Sequence, residues 1–156
     1  MRMKTFLRVL LPAFALLASF SFSPAASAAG CGHRLGVGAG VVHIDQPSET
    51  DFEIGAEYEC RMDILFGVGG FGNYIFSNPG ITLLGAPEIF VHPLGGDFYV
   101  AGSPILEFGS GSGTHLGIRL ATRVPLPLGL FILVPSFAVD FINGTRIYWF
   151  GLGIAI

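Results

Sequence analysis

The chain of 156 residues is apolar but poor in charge: 51% of its residues are hydrophobic and 12% are charged, with 23 glycines and 10 prolines. A typical soluble domain carries about 25% charged residues, and a disordered chain combines low hydrophobicity with high charge, so neither class fits. Two cysteines are too few for a disulfide scaffold or a multi-ligand zinc site. The net charge of -3 gives no basic surface for nucleic acid.

The first residues have the pattern of a secretory signal peptide. Three basic residues precede an apolar stretch from Val9 to about Phe20, and Ala26-Ser27-Ala28 is a cleavage site of small residues. We therefore expect residues 1–28 to be removed on export and residues 29–156 to form one domain.

Removal of this segment changes the charge of the chain that remains. Residues 29–156 keep five arginines, no lysine and all eleven acidic residues, which gives a net charge of -6. A chain of this sign is not expected to bind nucleic acid or an anionic membrane surface by charge.

The longest largely apolar run after the signal, from Val124 to Val139, does not fit a membrane-spanning helix. It contains Pro125, Pro127 and Pro135, which remove helix hydrogen bonds and clash with the preceding turn. It is also shorter than the roughly 20 residues that a helical span needs. A secreted chain that is rich in glycine and aromatic residues and has no amphipathic helix is typical of β-structure.

Apolar and polar residues alternate along two segments, 52–62 and 114–128. The even positions of both segments are mostly apolar, and the odd positions carry the charged side chains and histidine. These polar residues are Glu53, Glu57, Glu59, Arg61, His115, Arg119 and Arg123. A period of two predicts strands whose two faces lie in different environments.

Turn-forming sequences divide the chain after the signal into eight predicted strands, and Asn143-Gly144 is a hairpin signal among them. The predicted strands cover residues 33–45, 52–62, 64–76, 81–92, 98–108, 114–127, 130–142 and 145–156. Most of them reach the roughly 9 to 11 residues that a tilted strand needs to cross a bilayer.

Charged residues fall on the more polar face of these strands or in the connections, except Arg146 at the very start of the last strand, and none lies in mid-strand on the apolar face. This polar face is too small and too rich in glycine for a water-exposed exterior. It fits instead the lumen of a narrow barrel whose apolar face contacts lipid. The predicted lumen residues are Glu53, Glu57, Glu59, Arg61, Glu88, Glu107, His115, Arg119, Arg123 and Asp140.

Buried charges need partners, so we expect the lumen residues to form ion pairs that close the barrel. The hairpin after the fifth strand is expected to place Glu107 opposite His115. The next hairpin is expected to bring Asp140 near both His115 and Arg119.

The whole of residues 29–156 resembles, in pattern, the small eight-stranded outer-membrane β-barrels of bacteria, of the OmpA-barrel or opacity-protein type. The last strand is similar to the terminal signal that the barrel-assembly machinery recognises, although it ends in isoleucine where Phe or Trp is usual. The alternating residues of this signal are Tyr148, Phe150, Leu152, Ile154 and Ile156.

The resemblance implies an all-β, antiparallel, up-and-down transmembrane barrel in the cell outer membrane, with both termini in the periplasm. Its expected partners are outer-membrane lipid and, during biogenesis, the barrel-assembly and periplasmic chaperone machinery. A monomer without cofactor or metal is expected. The acidic loop from Asp45 to Asp51 is interpreted as a solvated turn rather than a cation site.

The predicted function is a structural, membrane-integrity role, because the outer loops are too short for a typical adhesin. A narrow pore for small solutes is one alternative. A soluble, lipocalin-like binder of an apolar ligand is another, favoured by Pro87, Pro104 and Pro135 inside predicted strands. A lipid A-modifying enzyme is the third, but no histidine has a serine at the two-residue spacing of the deacylase pattern, so no catalytic residue is predicted.

Cys31 and Cys60 lie near the periplasmic ends of the first two strands. A disulfide between them is compatible with an oxidising compartment, and lipidation of Cys31 is the alternative. The expected hairpin register places Cys60 nearer Gly36, so Cys31 would have to fold back to reach it.

Overall fold

The structure is a computed structural model that describes residues 30–93, 98–109, 113–129 and 131–155. The predicted signal peptide, residues 1–28, lies outside this range, as does Ile156, the last residue of the predicted assembly signal. Within the described ranges, no helix has the length and apolarity needed to cross a membrane.

The described chain forms antiparallel strands whose bounds agree with the predicted ones to within a few residues, with one exception. The strands are β1 (Gly32–Ile44), β2 (Glu49–Arg61), β3 (Phe66–Ile75), β4 (Ile81–Val91), β5 (Tyr99–Gly109), β6 (Gly113–Arg123), β7 (Leu126–Leu128), β8 (Phe131–Ile142) and β9 (Thr145–Ala155). The exception is the predicted strand 114–127, which is interrupted at Val124 and Pro125 and continues as β7.

Neighbouring strands in the chain are neighbours in the sheet, and the sheet closes on itself. β1 pairs with β9, while β8 pairs with β6 and, further along, with β7. Because β6 and β7 are two parts of one strand, the barrel has eight strands. This confirms the predicted eight-stranded antiparallel up-and-down barrel.

The two ends of the barrel differ in their connections. The loop end carries the connections β1–β2, β3–β4, β5–β6 and β8–β9, and the terminal end carries the other turns and both ends of the barrel sequence. At the loop end, Asn143 and Gly144 have φ angles of 49° and 81°. Positive φ at both central residues is what a two-residue type I′ hairpin requires.

Successive side chains point alternately into a buried interior that holds charged groups and onto an apolar exterior. In a soluble protein the apolar side chains are inside and the charged ones outside. Leu116 and Ile118 on the outer face of β6 are 71% and 59% exposed, whereas Arg119 on the inner face is 1% exposed. An apolar exterior around a charged interior is typical of a transmembrane barrel.

Only one of the three prolines inside predicted strands lies at a bulge. The β4 register shifts around the exposed Pro87, between Gly85 and Glu88 towards β3 and between Gly85 and Ile89 towards β5. The extra residue reverses the phase of β4, so that Glu88 faces inward. Pro135 occupies a regular ladder position, and Pro104 does so towards β6, although it lies opposite the β4 bulge on its other side.

The interior has an apolar layer near the loop end. Its members are aliphatic, inward-facing and at most 6% exposed: Val42, Ile44, Ile75, Leu83, Ile105, Ile142 and Ile147. Trp149 also points inward, and the glycines Gly40 and Gly151 provide the space for its indole, because a Cβ on either would clash with that ring.

Both cysteines are in the disulfide form. The β1–β2 ladder extends to Ile44 and Glu49, so the hairpin loop is shorter than predicted. The expected register is therefore wrong, and Cys60 lies opposite His33 rather than near Gly36.

Candidate functional site: the charged interior of the barrel

Polar and charged side chains fill the barrel from its middle towards the terminal end. We call this set the lumen network. Its members come from the inward positions of β1 to β6 and β8 and from the residue after β4. They are Arg34, Glu53, Glu57, Glu59, Asn73, Glu88, His92, Tyr99, Arg119, Arg123 and Asp140.

Arg119 and Asp140 form the most deeply buried ion pair of the network. They lie directly opposite each other in the β6–β8 ladder. Arg119 Nε donates to Asp140 Oδ1 and its Nη2 donates to Oδ2, both at 2.6 Å. The guanidinium carbon also lies 3.9 Å from the centroid of the Phe71 ring. A bidentate pair stacked on an aromatic face satisfies both the charge and the geometry of arginine.

Arg123 connects two glutamates from different strands. It forms an ion pair with Glu57, and its Nη1 lies 3.7 Å from Glu88 Oε1. Tyr99 donates its hydroxyl hydrogen to Glu57 Oε1 at 3.0 Å. These contacts link four strands across the lumen, namely β2, β4, β5 and β6.

Glu59 is the centre of a third group, nearer the terminal end. The distance from its Oε1 to His92 Nε2 is 2.7 Å, and its Oε2 lies 3.8 Å from Arg34 Nη1. His92 is fully buried. This group links β1 and β2 to the residue that follows β4.

Glu53 is held by an amide rather than by a cation. Asn73 Nδ2 donates to Glu53 Oε1. The other carboxylate oxygen, Glu53 Oε2, is buried and has no hydrogen-bond partner among the described residues, and the same holds for Glu88 Oε2.

Carboxylates outnumber cations in the network. Three arginines face five carboxylates, and His92 is the one further group in the network that could carry a positive charge. A buried carboxylate without a countercharge is costly, so the excess requires protons, water or small cations. No cluster of three or more His, Cys, Asp or Glu within the described ranges has the arrangement of a metal site.

Three predicted lumen residues lie outside this network. Arg61 donates from Nε to the Asp63 carbonyl at 3.2 Å and from Nη2 to the Ile64 carbonyl at 2.9 Å, so it stabilises the β2–β3 turn. Glu107 and His115 are opposite each other in the β5–β6 ladder, as expected. They are half-buried and lie nearer the loop end than the apolar layer. Asp140 is opposite Arg119, as expected. His115 lies four positions from Arg119 along β6, so the expected proximity of Asp140 to His115 is wrong.

Four network members were not predicted as site residues: Arg34, Asn73, His92 and Tyr99. Each shares the inward phase of its strand with a residue that the sequence does single out. Asn73 continues the spacing of Gly67 and Gly69, and His92 follows Glu88 by four positions. If the alternation of inward and outward positions is continued to both ends of each strand, these four residues are predicted to point inward.

One small cavity adjoins the network. A cavity of about 50 Å³ lies beside the glycines of β1 and β9, and Arg34, Tyr99, Arg123 and Trp149 contribute to its wall. A cavity of this size holds a few water molecules. It therefore suits hydration of the network better than passage of a solute.

Comparison with known proteins identifies the fold. No protein-family model matches the chain, and no curated protein matches its sequence. The chain is similar to the Neisserial surface protein A, with 14% identity, a TM-score of 0.62, and coverage of 80% of this chain and 96% of that one.

Two proteins of Pseudomonas aeruginosa have the same architecture. The N-terminal β-barrel domain of OprF is 10% identical, with a TM-score of 0.56 and coverage of 79% and 97%. The outer membrane protein OprG is 11% identical, with a TM-score of 0.50 and coverage of 81% and 96%. The chain has the fold of the small eight-stranded outer-membrane β-barrels, which confirms the class predicted from its sequence.

Proposed function

We propose that this protein is an integral barrel of the bacterial outer membrane, with a structural role and a lumen that does not conduct. The observation that carries this proposal is the filled interior. The Arg119–Asp140 pair and the Arg123 and Glu59 groups occupy the middle and terminal parts of the lumen, and the apolar layer occupies the part near the loop end.

The exterior supports placement in a membrane. Near the loop end, Tyr74 and Phe52 both contact Phe76, with ring centroids 4.9 Å and 5.7 Å away. His43 and Tyr148 stack nearby, at 6.5 Å. Aromatic residues at the edge of an apolar band are typical of membrane barrels, where they lie at the interface.

The direction of insertion follows from the fold class. In such barrels both termini are periplasmic, so the loop end faces outside. The lipid of the outer membrane and the barrel-assembly machinery are the proposed partners, together with periplasmic chaperones. The outward residues Phe150, Leu152 and Ile154 of β9 are exposed and available for recognition during assembly.

Electrical recording tests the closed lumen. The refolded protein, verified by heat-modifiable migration on a gel, is added to planar bilayers and is expected to give no discrete current steps. A double variant that opens the apolar layer, Leu83→Ser with Ile105→Ser, serves as comparison. Reproducible single-channel steps from the unmodified protein would overturn the proposal.

The narrow pore is the second candidate function, and one observation favours it. Water-sized space adjoins charged side chains, and the buried oxygens Glu53 Oε2 and Glu88 Oε2 have no hydrogen-bond partner among the described residues. A continuous path would still have to cross the apolar layer. Small cation-selective steps in the same recordings would establish this function instead.

The remaining alternatives receive less support. A lipocalin-like binder needs an apolar interior and a polar exterior, whereas this barrel has the opposite arrangement. A lipid A-modifying enzyme needs a serine beside a histidine base. Ser136 Oγ donates to the Val134 carbonyl at 3.0 Å, and Ser103 lies opposite Arg119 in the ladder. We therefore propose no enzymatic activity, and unaltered lipid A after overexpression is the expected result by mass spectrometry.

A further inference from the structure

Glu88 stands apart from the other carboxylates of the lumen network in the number of its hydrogen bonds. Its side chain is fully buried. Both of its oxygens lack a hydrogen bond from the described residues, whereas each of the other four carboxyl groups accepts at least one. Its ion pair with Arg123 is long, at 3.7 Å from Nη1 to Oε1. Glu88 is thus the lumen carboxylate that is least compensated for its removal from water.

The fold explains why Glu88 lacks donors nearby. The bulge at Pro87 turns it inward, and in the ladder with β3 it lies opposite Gly69, which has no side chain. The other inward side chains of β3, Phe71, Asn73 and Ile75, cannot carry a charge. The carboxyl group therefore depends on residues from across the lumen.

The charged groups that act on Glu88 from across the lumen are Glu57 of β2 and Arg123 and Arg119 of β6. Arg119 is already bound through two hydrogen bonds to Asp140 of β8. It has no further capacity to neutralise Glu88 fully, so Arg123 is the cation left for this purpose.

Arg123 is shared between two carboxylates. It forms an ion pair with Glu57 as well as the longer one with Glu88. Tyr99 of β5 donates its hydroxyl hydrogen to Glu57, but a neutral hydroxyl brings no charge. If both glutamates were ionised, two negative charges would face one positive charge in a site without access to water.

The remaining cationic groups of the network are engaged elsewhere. The Nε2 atom of His92 lies 2.7 Å from Glu59 Oε1, and Arg34 lies 3.8 Å from the other oxygen of the same carboxylate. Glu59 therefore has countercharges that Glu88 does not have. The two residues form a natural comparison, since both are glutamates buried in the same lumen.

We propose that the group formed by Glu57, Glu88 and Arg123 binds one proton at neutral pH, and that Glu88 carries it. A buried carboxylate without a countercharge takes up a proton rather than remain ionised, and two carboxylates that share one site do not both ionise. A metal cation would need several ligands, and no group of three or more His, Cys, Asp or Glu within the described ranges could hold one. This inference goes beyond the proposed function, because it holds whether or not the lumen conducts.

Infrared spectroscopy of the refolded barrel tests the proton directly. The C=O stretch of a neutral carboxyl group is separate from the bands of a carboxylate, and an ester-free detergent keeps lipid carbonyls out of this region. We expect the spectrum of the unmodified protein minus that of Glu88→Gln to show the band of one neutral carboxyl group at neutral pH. Glu59→Gln is the matched control and should leave this band unchanged. Neutral carboxyl groups elsewhere cancel in the difference.

A second variant tests the charge balance. Glu57→Gln leaves Arg123 with Glu88 as its one carboxylate partner, so Glu88 should then ionise. The same band should therefore disappear in Glu57→Gln, although the residue that carried the proton is still present. Persistence of the band in this variant would contradict the sharing of one guanidinium by two carboxylates.

The dependence of stability on pH provides an independent measurement. The unfolded chain loses the Glu88 proton near pH 4.3, the usual value of about 4.3 for a free glutamate, whereas the folded barrel keeps it at neutral pH. Unfolding therefore releases one proton and becomes more favourable as the pH rises. The contribution of one proton is about a tenfold increase in the unfolding equilibrium constant per pH unit. Glu88→Gln, which imitates the neutral carboxyl group, should remove this contribution between about pH 5 and neutrality.

The possible outcomes are distinct. Absence of the band from the difference spectrum, with an unchanged pH slope in Glu88→Gln, would overturn the inference. So would stability that rises with sodium concentration in the unmodified protein but not in Glu88→Gln, because it would assign the site to a metal cation. Failure of Glu88→Gln to fold would also count against it, since glutamine has the shape and charge of protonated glutamate. None of these results bears on current through the lumen, so the proposed function is tested separately.

Discussion

Arg119 and Asp140 are bound to each other through two 2.6 Å hydrogen bonds in the interior of the barrel. Both side chains are about 1% exposed. A pair so well removed from water is costly to form and more costly to break, because each partner is the main countercharge of the other.

Removal of one member of this pair should therefore lower the free energy of unfolding more than removal of both members does. We expect Arg119→Met or Asp140→Leu alone to lower the free energy of unfolding by about 3–5 kcal/mol, whereas the double variant should lose much less. Urea titration of the protein refolded into lipid vesicles measures this. Arg61→Met, at the rim, is the matched control. Equal losses in the single and double variants would show that the pair is not coupled.

Trp149 and the two glycines beside it predict a steric effect. Gly151→Ala places a methyl group against the indole ring, and overpacking of this kind costs about 1–3 kcal/mol. The loss should shrink when Trp149→Phe is added. Gly102→Ala is the control, because a Cβ there lies at an ordinary 3.6 Å from Leu120. A similar loss for both glycines would contradict the packing argument.

The loss of stability caused by a charged substitution on the exterior should depend on how deep the position lies in the membrane. We expect Ile118→Arg to reduce the free energy of unfolding in vesicles by about 2–4 kcal/mol, as arginine does at the bilayer midplane. His43→Arg, on the outward face close to the loop end, should cost about 0–1 kcal/mol. Equal costs at both positions would argue against a bilayer around this face.

Mass analysis without reductant should find Cys31 and Cys60 in one linked peptide after proteolysis of the exported protein. Both cysteines are in the disulfide form in the structure, and the periplasm is oxidising. The same digest with reductant is the control and should release the two peptides. A lipid-modified Cys31 would rule out the link.

Strand phase is the most predictable property of this chain. The alternation in 52–62 and 114–128 correctly predicts that Glu53 and Arg119 lie on the inner face, because a period of two leaves little freedom over which face is buried. The same rule fails locally in β4, where the bulge at Pro87 shifts the phase by one residue, and in the sixth predicted strand, where Pro125 interrupts the ladder.

Partners across the lumen are harder to predict than faces. His92 and Glu59 are 33 residues apart in the chain and meet at 2.7 Å. Their meeting depends on the tilt and stagger of all the strands between them. A hairpin, by contrast, fixes its own register through its turn, so the pairing of Glu107 with His115 could be expected from the local sequence.

The glycines on the inner face of β1 and β9 bear on how the barrel closes. Gly38 pairs with Gly153 and Gly40 with Gly151 at the junction where the first and last strands meet. This is the longest-range pairing in the chain, and closing so long a loop carries the greatest entropic cost. At these two pairs neither strand carries an inward side chain of its own, so the backbones of β1 and β9 can come together without having to interlock side chains across the seam. The only ring that must be accommodated there is that of Trp149, which lies over Gly40 and Gly151.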